Sequence, residues 1–201
     1  MTNDDNTVEV DLWYSSSMDL GLKLDSELAA LSTSHKNSDS SKPLFTPRIA
    51  SYSCTMCDDD FKQTTCLSDG LYCGFMPDFY TEYGLAEKGV SMTGREVLIQ
   101  GLREKCLHKI MSEKYKDEGS LFWTFSGYVR QCFVDSDLNK NEPLPKSLAE
   151  CYDWSTVMIR DHEEVGTLNS CVDGSFETEG DLESDNSILR EDRKWANLNH
   201  I

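Results

Sequence analysis

The chain has 201 residues, with 19 basic against 36 acidic side chains, a net charge of −17 at pH 7. That charge argues against nucleic-acid binding, where a basic patch supplies most of the affinity, and no apolar run approaches the roughly 18 residues needed to span a bilayer. Aromatic residues make up 10% of the chain, enough for a packed core of one domain or one domain with a large insertion.

The opening "MTNDDNTVEVD" carries no basic segment followed by an apolar one, which taken alone predicts the cytosol. The cysteines predict the opposite. There are eight, all between Cys54 and Cys171, which suggests up to four disulfides and an oxidising compartment. The two indications are reconciled if the chain is an internal piece of a longer secretory protein.

In chain order, residues 1–7 read as a polar tail. Val8–Tyr14 alternates as a strand, and Ser15, Ser16 and Ser17 make a polar turn after it. "DSELAAL", Asp25–Leu31, reads as a helix capped by Asp25 or Ser26. "STSHKNSDSSKP" is a loop by composition. "LFTPRIASYSC" is a second strand; Pro47 lacks a ladder donor, so the paired part is expected at Arg48–Ser53. From Cys54 to about Gly89 the chain is rich in turn residues and is expected to form loops and short helices.

Thr93 then opens the clearest helix, with "TGRE" as a capping box and Val97, Leu98, Gly101, Leu102, Cys106, Ile110 and Met111 at helical spacing. "SLFWTFSGYVRQCFVD" is a second helical segment, and "SLAECYDWSTVMIRDH" and "EEVGTLNSCVDGSF" are two shorter ones. Each of these four segments holds one cysteine, the pattern of a helical module stapled together. "ETEGDLESDN" is an acidic loop, and "SILREDRKWANLNHI" closes the chain as a helix.

With these elements in order, the chain resembles the plant-type vacuolar sorting receptors, in their central thioredoxin-like, cysteine-rich region. The resemblance rests on "VDLWYSSSMDLGLKLD", "FTPRIASYSC", "CLSDGLYC", "GREVLIQGLREKC", "YVRQC", "LAEC" and "SCVDGSF", and runs from Val8 to Trp195. It implies an α/β fold: a partial thioredoxin-like strand-helix-strand unit with a disulfide-rich, mainly helical insertion. The expected divisions are 8–53 for that unit, 54–176 for the insertion, and 177–201 for the acidic loop and last helix.

Two departures stand out. Leu20 and Leu24 stand where the family carries cysteines, so the turn after the first strand has no dithiol to do redox chemistry. The chain also stops at "WANLNHI", where the family continues through the second half of the thioredoxin sheet to repeats, a membrane span and a cytosolic tail. A fragment or truncated gene model is therefore expected, touching membranes only through parts of the full-length receptor.

The resemblance further implies a non-catalytic role in the secretory lumen, from Golgi to prevacuolar compartment, with sorting peptides of soluble vacuolar proteins as partners and no cofactor or metal. All eight cysteines, Cys54, Cys57, Cys66, Cys73, Cys106, Cys132, Cys151 and Cys171, are expected in disulfides, and the resemblance places Cys54 and Cys57 in separate bridges. Ser15, Ser16, Ser17, Asp19 and Asp25 are the candidate ligand-binding residues, because the end of the first strand faces the substrate groove in thioredoxin-like proteins.

Two alternatives come from the residues themselves. "CTMC" is a Cys-x-x-Cys after a strand, the arrangement of a thiol–disulfide oxidoreductase, although the adjacent "DDD" disfavours a thiolate. Cys54, Cys57, Cys66 and Cys73 also make a loose four-sulfur zinc set in a cytosolic interaction module. "DSDLNKNEPLPK" fails as a calcium loop, with Lys140 and Lys146 where glycine and glutamate are needed. His35, His108, His162 and His200 pair with no nucleophile. Trp13, Tyr14, Trp123, Phe125, Tyr128 and Trp154 are expected mainly in the core.

Overall fold

A computed structural model describes residues 8–14, 43–75, 93–114 and 162–199. The helix expected at Asp25–Leu31 and the helical segments around Cys132 and Cys151 lie outside the described residues.

Strand β1, Val8–Tyr14, pairs in parallel with β2, Pro43–Ile49, in a register that sets Val8 opposite Pro43 and Tyr14 opposite Ile49. The expected boundary of β2 was wrong: the ladder is Pro43–Ile49 rather than Arg48–Ser53. The reason is parity. In a parallel strand, alternate residues direct N–H and C=O to the same side. Pro43, Pro47 and Ile49 share one parity, and the Ile49 N–H points away from β1, donating to Asp192 Oδ2 at 3.0 Å. The missing donors of both prolines therefore fall on the side that β1 does not use. Beyond Ile49 the chain leaves the ladder, and Tyr52 forms an isolated bridge with Cys73.

Helix α1, Asp59–Thr65, starts because Asp58 caps it, its carboxylate accepting from the Phe61 N–H at 2.8 Å. The chain then folds back in a small hairpin, β3 (Cys66–Leu67) against β4 (Tyr72–Cys73). Its turn uses three left-handed residues, Ser68, Asp69 and Gly70 at φ 54°, 49° and 85°. Gly70 is required twice over, because a Cβ there would stand 2.6 Å from the Cys54 carbonyl oxygen.

Helix α2 is Gly94–Lys114. Its capping box forms as expected: the Thr93 N–H donates to Glu96 Oε2 at 2.7 Å, and the Glu96 N–H donates to Thr93 Oγ1 at 3.2 Å. Replacing Thr93 with alanine is expected to cost about 1 kcal/mol; a urea midpoint unchanged by T93A would show that the box contributes nothing. Helices α3 (His162–Asp173) and α4 (Ser187–Asn199) complete the described elements. Asn186 caps α4, its Oδ1 accepting from the N–H groups of Ile188 and Leu189, both at 3.1 Å.

One core joins these pieces. Ile49 of β2, Leu67 and Tyr72 of the hairpin, Leu98, Leu102 and Leu107 of α2, Leu168 of α3 and Leu189 of α4 are all buried together. Ile49 lies directly on α2 where Gly101 has no side chain; a Cβ there would sit 3.2 Å from the isoleucine. The stretch 177–186 is a loop, as expected, but a docked one. The Ser68 N–H donates to the Leu182 carbonyl at 2.9 Å, Ser68 Oγ to the Ser184 carbonyl at 2.7 Å, and Arg95 pairs with Glu183 at 2.6 Å. Its acidic side chains thus border the hairpin.

Candidate functional site

Six of the eight cysteines fall among the described residues, and they form three bridges: Cys54–Cys57, Cys66–Cys73 and Cys106–Cys171. Cys132 and Cys151 lie outside the described residues. The bridge expectation holds for these six, with one correction. Cys54 and Cys57 pair with each other instead of joining separate bridges. The tight turn after β2, closed by the Cys57 N–H on the Cys54 carbonyl at 3.3 Å, brings their Cα atoms to 5.4 Å, inside the range a disulfide spans. The zinc alternative needs four thiolates, yet each of its four sulfurs is in a disulfide.

Cys54–Cys57 sits at the carboxyl end of the sheet. Because β1 and β2 run in parallel and Tyr14 faces Ile49, the chain leaves both strands at that same end. In open α/β sheets this is the end where ligands bind. The predicted ligand-binding residues Ser15, Ser16, Ser17, Asp19 and Asp25 follow directly in sequence from β1 and lie outside the described residues. On the β2 side the loop presents Met56, 95% exposed, and Tyr52, whose ring packs against Phe75 at 5.2 Å.

Behind this end lies a buried charge cluster that the sequence reading missed. The Asp192 carboxylate is 1% exposed. It accepts from Lys105 Nζ at 2.6 Å, from Arg48 Nη1 at 3.1 Å and from the Ile49 N–H at 3.0 Å. Arg48 also donates to Asp11 Oδ1 at 2.9 Å and stands 5.1 Å over the Trp195 ring, which in turn packs on Trp13 at 5.7 Å. Burial by itself would lower the Arg48 pKa, but the hydrogen bonds to Asp11 and Asp192 outweigh it and raise the value. One acid thereby ties β2, α2 and α4, while Arg48 extends the tie to β1. The signal was present in "SILREDRKWANL": Asp192 falls on the stripe of Ile188, Leu189 and Trp195, and a charge on an apolar stripe needs buried partners.

On the opposite face of α4 an open groove of 360 Å³ is lined by Tyr72, Arg190, Arg193, Lys194, Asn197 and Leu198. Arg190 is held by Glu177 at 2.9 Å and Asp185 at 2.7 Å. Arg193 donates to the Leu71 carbonyl at 3.0 Å, and the Tyr72 hydroxyl donates to Asp185 at 2.8 Å. Burial, reinforced by that hydrogen bond, pushes the Tyr72 pKa well up, so the phenol stays neutral. Among the described residues no helix is long and apolar enough to cross a membrane.

Compared with known proteins, residues 8–198 match the family model of the vacuolar sorting receptor thioredoxin-like domain. No curated protein matches the chain.

Proposed function

Because the chain belongs to the vacuolar sorting receptor thioredoxin-like domain family, we propose that it is a non-catalytic recognition domain that binds sorting peptides of soluble vacuolar cargo within the endomembrane lumen. The observation that carries this reading is the family match, which spans nearly the whole chain. The parallel pairing of β1 and β2 supports a peptide site at the carboxyl end of the sheet, from which Ser15–Asp19 follow in sequence. Asp19 and Asp25 are assigned to meet a basic residue of the sorting peptide. Reversing both charges, D19K/D25K, is expected to weaken binding of a labelled sorting peptide about tenfold, because attraction of its basic residue becomes repulsion. Fluorescence anisotropy reads the effect, and an unchanged affinity refutes the assignment.

A thiol–disulfide oxidoreductase is the second reading, favoured by the mutual pairing of Cys54 and Cys57 and by the exposed Met56 between them. The electrostatics oppose it. The helix end that would stabilise a thiolate is already occupied by the Asp58 carboxylate, and Asp59 and Asp60 add negative charge in the first turn. Insulin reduction in the presence of dithiothreitol is expected to run at the same rate with wild type and with C54S/C57S. A wild-type acceleration lost in the double variant would replace the recognition reading with a catalytic one.

A further inference from the structure

We infer that the groove beside α4 is a second recognition site, one that takes acidic peptide segments carrying an apolar side chain next to their carboxylates. The chain carries 36 acidic against 19 basic residues, so a cation cluster runs against its composition. Here Arg190, Arg193 and Lys194 line one groove, with Asn197 and Leu198 one turn further along the same helix face. The opposite face of α4 is committed to the interior through Leu189 and Asp192.

The charges of this groove are unevenly matched. Arg190 is compensated in place by Glu177 and Asp185. Arg193 donates to a neutral carbonyl, that of Leu71, and no carboxylate among the described residues pairs with Arg193 or Lys194. Glu191, on the neighbouring stripe, is turned toward Arg48 at 3.7 Å. Two cations therefore remain to meet an incoming anion, and Arg193 keeps guanidinium donors in the fork that suits a carboxylate. Tyr72 does not repel an anion, because its phenol is neutral and already directed at Asp185.

The apolar component is equally local. Leu198, which lines the groove beside Lys194, is 70% exposed. Its side chain would cover an apolar neighbour of the bound carboxylates. A volume of 360 Å³ suits a few residues of extended peptide rather than a folded partner. The long-range field of a net-negative chain is screened within about 8 Å at physiological salt, so the local cations decide what the groove attracts.

This site is independent of the cargo reading, since it uses none of the residues assigned there. The test uses the full chain and a short fluorescein-labelled peptide alternating leucine and glutamate, with a glutamine-for-glutamate peptide as control. The glutamate peptide is expected to bind, and the glutamine peptide to bind about tenfold more weakly or not at all. K194E and L198D each replace an exposed side chain and should keep the wild-type melting curve while weakening the glutamate peptide about five- to tenfold. Raising the salt should weaken it further, and D19K/D25K should leave it unchanged. Equal affinity for the two peptides, unchanged affinity in both variants, no binding at all, or binding only to vesicles containing phosphatidylserine would each overturn the inference. If the sorting peptide binds while the acidic one does not, this site fails and the cargo reading stands.

Discussion

Replacing Asp192 with alanine is expected to cost about 3–5 kcal/mol, a third to a half of the stability of an ordinary domain. The acid is 1% exposed, and its partners Arg48 and Lys105 are only 11% and 14% exposed. Truncation strands two poorly solvated cations and removes the acceptor of the Ile49 N–H, a backbone donor that faces away from β1 and, among the described residues, has no second strand to turn to. The penalty thus comes less from a lost attraction than from what is left uncompensated. D192N is the informative companion. It keeps the shape and an oxygen for Ile49 but withdraws the charge, so it should fall between wild type and D192A. K105A leaves Asp192 with Arg48 and the backbone donor and should cost less than either. Urea unfolding of the four proteins gives the order directly. A D192A loss below about 1 kcal/mol would mean that water reaches the cluster and that it contributes as little as a surface ion pair.

Removing the Cys106–Cys171 bridge as C106A/C171A is expected to cost about 4 kcal/mol, because it releases a closed loop with a sequence separation of 65 in the unfolded chain. It also pins α2 to α3 inside the core, where Cys106 is 1% exposed. The Cys54–Cys57 bridge closes a separation of only 3, and the same chain-entropy argument gives about 2 kcal/mol for it. The comparison of C106A/C171A with C54A/C57A by denaturant midpoint separates a bridge that restrains the fold from one that restrains a single turn. Equal losses would show that the long bridge acts only by local packing. A larger loss for the short one would place the functional weight of the fold at the carboxyl end of the sheet, beside Tyr52 and Met56.

Some features could be read from short sequence windows. The limits of β1 followed from the alternation of Val8, Val10 and Leu12, because a strand's side chains repeat with a period of two along the chain itself. The Thr93–Glu96 box was legible because both of its hydrogen bonds run between residues three apart. The final helix and the existence of bridges followed for the same kind of reason, and the family resemblance supplied the class of fold.

By itself, then, the sequence determined the limits of β1, the start of α2, that the six described cysteines would bridge, and which family the chain resembles. Only the tertiary structure decided the rest. The two prolines of β2 are harmless because β1 lies on the other side, a fact about a strand more than thirty residues away. Cys54 is held against the hairpin by its N–H on the Gly70 carbonyl at 2.9 Å, and the turn that starts there delivers Cys57 to it. Asp192 reaches an Arg48 that is 144 residues distant, and the cation groove exists because the hairpin at Tyr72 is folded against α4. Charge pairs, bridge partners and grooves depend on which distant segments share a space, and that is set by the packing of the core as a whole.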